Sequence, residues 1–199
     1  MATATRRIGP ADRGRRTSYE EFVEADFAEG WLYELARGII VVTNVPHPDH
    51  GEIVDRVTDL FGFYRRDHPG IIRYRAAGSD CRLRMPGLRS DRHPDQAVYL
   101  NPRPEGEGVW SRWIPGIVVE VVSRGSKRRD YVQKRAEYLR MGVLEYWILD
   151  PKERRMLALS RDGDTWREVS VPVGELYRTH LLPGLEVRPA ELLGGPGPY

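Results

Sequence analysis

The chain has 199 residues, of which 30% are charged and 40% hydrophobic, and a formal net charge of +2. That length buries a core without disulfides or a structural metal, and no run approaches the ~20 apolar residues of a bilayer span. The arithmetic therefore speaks against a membrane protein, a secreted disulfide scaffold and a coiled coil. The single cysteine, Cys81, cannot close an internal disulfide, which fits a reducing cytoplasm. The first residues hold arginines but no apolar stretch, so no secretory leader is expected.

Residues 1–16 carry five arginines and almost nothing apolar, and read as a disordered basic arm. Ser18-Tyr-Glu-Glu21 is a capping-box pattern that opens a short helix to about Ala25. Trp31–Thr43 reads as two strands turned at Arg37-Gly38. A helix follows from Asp49, which is expected as its N-cap. Ile53, Val57, Leu60, Phe61 and Tyr64 fall at helical spacing, and His68-Pro69-Gly70 ends the helix. Strand-like pieces appear near Ile71–Arg75, Cys81–Met85 and Gln96–Leu100, before a Pro/Gly/Glu-rich loop from Asn101 to about Gly108. Ile117–Val122 is a continuous apolar run typical of a strand buried on both faces. A helix over about Lys127–Met141 and a strand over Leu144–Leu149 complete a strand–helix–strand unit. Two more strands flank Asp162-Gly163, a strong hairpin signal. Residues 193–199 read as a flexible tail, which leaves one domain over 17–192. The class is α/β, a mixed α+β sheet with flanking helices and a C-terminal β-hairpin.

Four residues carry chemistry. Glu120 interrupts the apolar run Ile117–Val122, where a carboxylate is costly unless a cation or donors compensate it; an exposed sheet edge or a core arginine would also explain it. Asp95, introduced by Pro94, stands at the start of a strand, though Pro-Asp alone is common in turns. Only Lys127, Lys134 and Lys152 are lysines among the 31 basic residues. Arginine does not give up its proton, so a lysine marks a place where arginine does not serve, or a stray of codon usage. At 100° per residue Lys134 lies near Tyr131, Tyr138 and Met141 at the border of the buried stripe, with Gln133, Glu137 and Arg140 on the wet face; a snorkelling lysine is the plain alternative. Glu34 interrupts Trp31–Leu35, and alone it reads as the polar face of an alternating strand. Two carboxylates can hold Mg²⁺, and a lysine beside it suits phosphodiester hydrolysis. Arg124, Lys127, Arg128 and Arg129 follow Glu120 closely and suit phosphate contacts; a solvated helix start explains them equally well. His47, His50, His93 and Cys81 lack the spacing of a zinc site, and His50 is kept as a possible site neighbour.

VVEVVSRGSKRRDYVQKRAEYLRMGVLEYWILDP (118–151), YEL at Tyr33–Leu35, His50 and Pro94-Asp95 together resemble the Uma-two family. That family is a branch of the PD-(D/E)XK restriction-endonuclease-like superfamily. The resemblance spans about 17–192 and implies a restriction-endonuclease-like core with Mg²⁺, or Mn²⁺, at the open end of the sheet. It implies Asp95 and Glu120 as metal ligands and Glu34 as a third that completes the shell. It implies Lys134 as the catalytic lysine, supplied by the following helix because the usual position, two after the glutamate, is Val122. The chain departs from the family at Ser123-Arg-Gly-Ser126, where Ser-Pro-Ser is common, and at Ala36–Ile39, where an acid often follows the first glutamate. The implied activity is a metal-dependent endodeoxyribonuclease with DNA as partner, no membrane, and a homodimer by analogy. The alternatives are a non-catalytic nucleic-acid-binding module and a protein-interaction domain on the same fold.

Overall fold

The structure is a computed structural model that describes residues 6–43 and 47–194. Strand β1 (Arg7–Ile8) is followed by helix α1 (Tyr19–Val23), β2 (Asp26–Phe27), the hairpin β3 (Leu32–Ala36) and β4 (Ile39–Thr43), and the long helix α2 (Pro48–Asp67). Then come β5 (Tyr74–Ala76), β6 (Leu83–Met85), β7 (Ser90–Arg92), β8 (Gln96–Tyr99), the helical turn α3 (Val109–Arg112) and β9 (Ile117–Val121). A π-helical stretch, Arg129–Lys134, runs into α4 (Arg135–Met141). β10 (Glu145–Asp150), β11 (Arg155–Asp162), β12 (Thr165–Pro172), β13 (Tyr177–Arg178), β14 (Glu186–Val187) and α5 (Pro189–Leu193) complete the chain.

A six-stranded sheet, ordered β12-β11-β10-β9-β8-β5, forms the centre. β9 and β10 are parallel, joined by the helix between them, and their other neighbours are antiparallel, so the sheet is mixed as expected. Alternation decides what each face buries. Ile117, Val119 and Val121 point to the layer of α2 (Ile53, Val57, Phe61) and α5 (Leu192, Leu193). Val118 points to the opposite layer, with Tyr138 of α4, Tyr146, Ile148, Tyr99 and Leu83. Burial on both faces explains why β9 is an unbroken apolar run apart from Glu120. A second sheet, β4-β3-β7-β6, stands beside the first. Its hairpin turns through Arg37 (φ 51°) and Gly38 (φ 80°), the positive pair that a tight two-residue turn requires.

Several expectations are corrected. Residues 6–16 are not a disordered arm. β1 pairs with β2, Ile8 is fully buried with Phe22, Tyr33 and Leu35, and Gly14 and Arg15 exchange backbone hydrogen bonds with Ile40. One buried side chain and a run of backbone pairing hold this segment, and neither leaves a periodic pattern; residues 1–5 lie outside the described residues. At the other end, Leu193 belongs to α5 and is buried, so it is not part of a flexible tail; 195–199 lie outside the described residues. His47, not Asp49, caps α2: its Nδ1 accepts from the Asp49 N–H at 3.4 Å. β7 escaped the sequence reading because Ser90, Asp91 and Arg92 are polar, yet all three are fully buried. Glu137 is buried too, not on the wet face. The i→i+5 bonding of the π stretch adds a residue to the turn, so faces counted at 100° per residue rotate beyond it.

Candidate active site

The site forms where β9 ends. In open sheets ligands gather outside the carboxyl ends of strands, and Glu120 is the next-to-last residue of β9. β8 runs antiparallel to β9 with Gln96 opposite Val119. One further step sets Asp95 opposite Glu120, on the same sheet face. Asp95 is fixed there because its Oδ2 accepts the Val121 N–H at 2.7 Å. His50, in the first turn of α2, brings Nε2 within 3.3 Å of the same oxygen.

Lys134 closes the cluster from the helix side. Its Nζ lies 2.8 Å from Glu120 Oε1, 3.7 Å from Asp130 Oδ1 and 3.8 Å from Glu34 Oε1. The Tyr138 hydroxyl donates to Glu120 Oε1 at 2.6 Å. Lys134 is the last residue of the π stretch, a feature that recurs at functional sites. Glu34, in the middle of β3, accepts the His93 N–H at 3.0 Å on Oε1 and Arg92 at 3.3 Å on Oε2. Each of its oxygens thus already accepts from one protein donor. Arg92 in turn grips Glu137 through Nε at 2.7 Å and through the second guanidinium nitrogen at 3.1 Å.

Burial pushes the Glu120 carboxyl up to about 8; Lys134 pulls it down, but Asp95, Asp130 and Glu34 add to the rise. Burial acts on Glu34 in the same direction, yet Lys134 and Arg92 overcome it and hold the acid at about 2. Asp130 is raised by burial, with Lys134 opposing. Burial alone would lower Lys134, but Glu120, Glu34 and Asp130 outweigh it and keep the ammonium charged. Burial also works against protonated His50, but the hydrogen bond and charge of Asp95 raise it.

Asp95, Glu120, Lys134, Glu34 and His50 all line one cleft of about 1170 Å³, together with Asp130, Arg124 and Arg129. The four expected basic residues separate here. Arg124 and Arg129 face the cleft, whereas Lys127 turns to Glu153 at 2.7 Å and Asp150 at 3.7 Å; Arg128 is exposed and is not among the lining residues. Sequence reading missed Asp130, Arg92, Glu137 and the hydroxyl role of Tyr138. Asp130 had a signal, since it stands four residues before Lys134 on one helix; Arg92 and Glu137 had none.

Among the described residues no group of three or more His, Cys, Asp or Glu side chains is disposed to hold a metal ion by itself. The donor chemistry nevertheless fits a hard cation. Mg²⁺ is commonly bound by one or two carboxylates, with water and substrate phosphate oxygens filling the remaining positions. Burial is the main cause of the upward push on Glu120, and the neighbouring acids Asp95, Asp130 and Glu34 add to it; a cation bound there would offset both.

No helix among the described residues is long and apolar enough to cross a membrane. No curated protein matches the chain. A crystal structure described as a putative nuclease belonging to DUF820, from Anabaena variabilis, superimposes with a TM-score of 0.69 at 16% identity. The match covers 89% of this chain and 97% of that one, and shows a shared fold. The model of the Uma2 family, described as "Putative restriction endonuclease", matches residues 19–191, and the chain belongs to that family.

Proposed function

We propose that this chain is a Mg²⁺-dependent endonuclease that hydrolyses DNA phosphodiester bonds, with Asp95 and Glu120 as the ion's protein ligands. The reading rests on one observation: Asp95 stands opposite Glu120 in a cleft, with the Lys134 ammonium 2.8 Å from Glu120. Membership in the Uma2 family supports it. A divalent ion supplies charge neutralisation at the phosphate and acidification of water, and Mn²⁺ suits the same oxygen donors. In hydrolysis a water oxygen attacks phosphorus and one bridging P–O bond breaks. Lys134 contributes a fixed positive charge where negative charge builds on the phosphoryl oxygens. Its ammonium stays protonated among three carboxylates, so it acts through charge and position and not as a base. Glu34 and Tyr138 are positioning residues: Glu34 sits beside the lysine, and Tyr138 orients Glu120. Arg124 and Arg129 meet the phosphate backbone at the cleft wall.

The test is nicking of supercoiled plasmid with Mg²⁺. Wild type is expected to nick, and Asp95→Ala and Glu120→Ala to abolish nicking. Equal activity in all three preparations marks a contaminant and overturns the reading. A salt-dependent shift of DNA with no cutting under Mg²⁺ or Mn²⁺ would favour the binding module instead.

A further inference from the structure

A second cavity, of about 330 Å³, lies away from the carboxylates and is lined by Arg73, Tyr74, Arg103, Val109, Trp110 and Trp113. It sits at β5, the edge strand of the central sheet. Tyr74 pairs with Tyr99 across β5 and β8. Tyr99 is four residues from Asp95, so the cavity is about 13 Å from the cleft along β8 at ~3.3 Å per residue. Its wall is aromatic. The Tyr74 ring stacks on Trp113 with centroids 5.1 Å apart, and Trp110 lies 6.5 Å from Trp113. Tyr74 is 37% exposed and lines the cavity.

No carboxylate lines this cavity, and neither the Arg73 nor the Arg103 guanidinium makes a hydrogen bond or ion pair among the described residues. The loop that carries Arg103 is held in place. Arg112 donates to the Glu105 and Glu107 carbonyls, both at 2.6 Å, and the Trp113 indole donates to the Asn101 carbonyl at 3.1 Å. An aromatic wall flanked by two uncommitted guanidinium groups matches one ligand chemistry: a flat ring joined to a phosphate. Aromatic faces take bases of any sequence, guanidinium forks take phosphate oxygens, and the volume falls in the range of small-ligand sites.

We propose that this cavity is a nucleotide-binding subsite distinct from the carboxylate cleft, with a nucleobase against Tyr74 and Trp110 and its phosphate between Arg73 and Arg103. The ligand is either a free nucleotide or an unpaired stretch of nucleic acid, which share this chemistry.

Calorimetry and tryptophan quenching with thymidine monophosphate, a short oligothymidylate and inorganic phosphate, all without divalent metal, test the proposal. The mononucleotide is expected to bind more tightly than inorganic phosphate. Tyr74→Ala and the double variant Arg73→Glu/Arg103→Glu are each expected to weaken it about tenfold, while Asp95→Asn leaves it unchanged. The double variant changes only exposed side chains, so it remains informative should Tyr74→Ala fail to fold. A much tighter oligothymidylate identifies the strand as the source; equal affinity identifies the free nucleotide. Unchanged binding in the double variant, phosphate binding as tight as the nucleotide, or loss of binding in Asp95→Asn would each overturn the subsite.

Discussion

β9 and β10 lie side by side, and each buries a glutamate: Glu120 near the end of β9 and Glu145 at the start of β10, 3% and 4% exposed. Burial raises both carboxyls. Their partners differ in kind. Glu145 accepts from the Thr179 hydroxyl at 2.7 Å, the Trp147 indole at 2.8 Å and the Tyr177 hydroxyl at 3.2 Å. These are neutral donors, and Glu145 is not among the residues that line the cleft. Glu120 instead meets an ammonium, has Asp95 opposite it, and opens on the cleft. A buried acid in a strand is therefore not by itself the mark of a site. What sets Glu120 apart from Glu145 is a second acid on the same face, a buried cation and a place in the cleft wall.

The comparison can be broken most sharply by activity. Glu120→Ala and Asp95→Ala are each expected to lower plasmid nicking by about a thousandfold, whereas Glu145→Gln leaves nicking within about twofold by the same assay. Comparable losses in all three would erase the distinction.

Stability separates the two regions next. Arg92 is fully buried and bound to both Glu34 and Glu137. Arg92→Met removes the guanidinium that bridges those buried acids and should cost about 3–5 kcal/mol in urea unfolding. Acid titration then gives opposite signs at the two regions. The Glu34 carboxyl is held at about 2 against an ordinary 4.5. Its contribution is therefore complete above 4.5 and disappears as pH falls through about 2. That contribution is about 3 kcal/mol, and Glu34→Gln should flatten the loss. The raised carboxyl of Glu145 works the other way, adding stability at low pH that fades as pH rises. The smallest effect belongs to Glu145→Gln itself. Its amide keeps only one acceptor oxygen for three donors, a cost of about 1–2 kcal/mol measurable as a lower Tm.

Local pattern decided much of this protein. The β3–β4 hairpin followed from its Arg37-Gly38 turn, α2 from apolar residues at helical spacing, and the strand–helix–strand unit of β9, α4 and β10 from an apolar run, a helix and a second run. Each signal lies within a few residues of what it specifies. Glu120 and Lys134 stood out by the same logic, as charges in the wrong surroundings. Other features depend on which distant segments meet. Arg92 grips Glu137 45 residues away and Glu34 58 residues away, and only the placement of β3 beside β7 makes three buried charges tolerable there. Ile8 likewise looked like one apolar residue in a basic stretch until β2 and β3 surrounded it. The sequence by itself determined the elements that carry a periodic apolar pattern, and the anomalous charges, because propensity and periodicity act between near neighbours. Tertiary structure alone decided which charges share a cleft and which are sealed into the core, because strand register and a π-helical turn set the directions in which those side chains point.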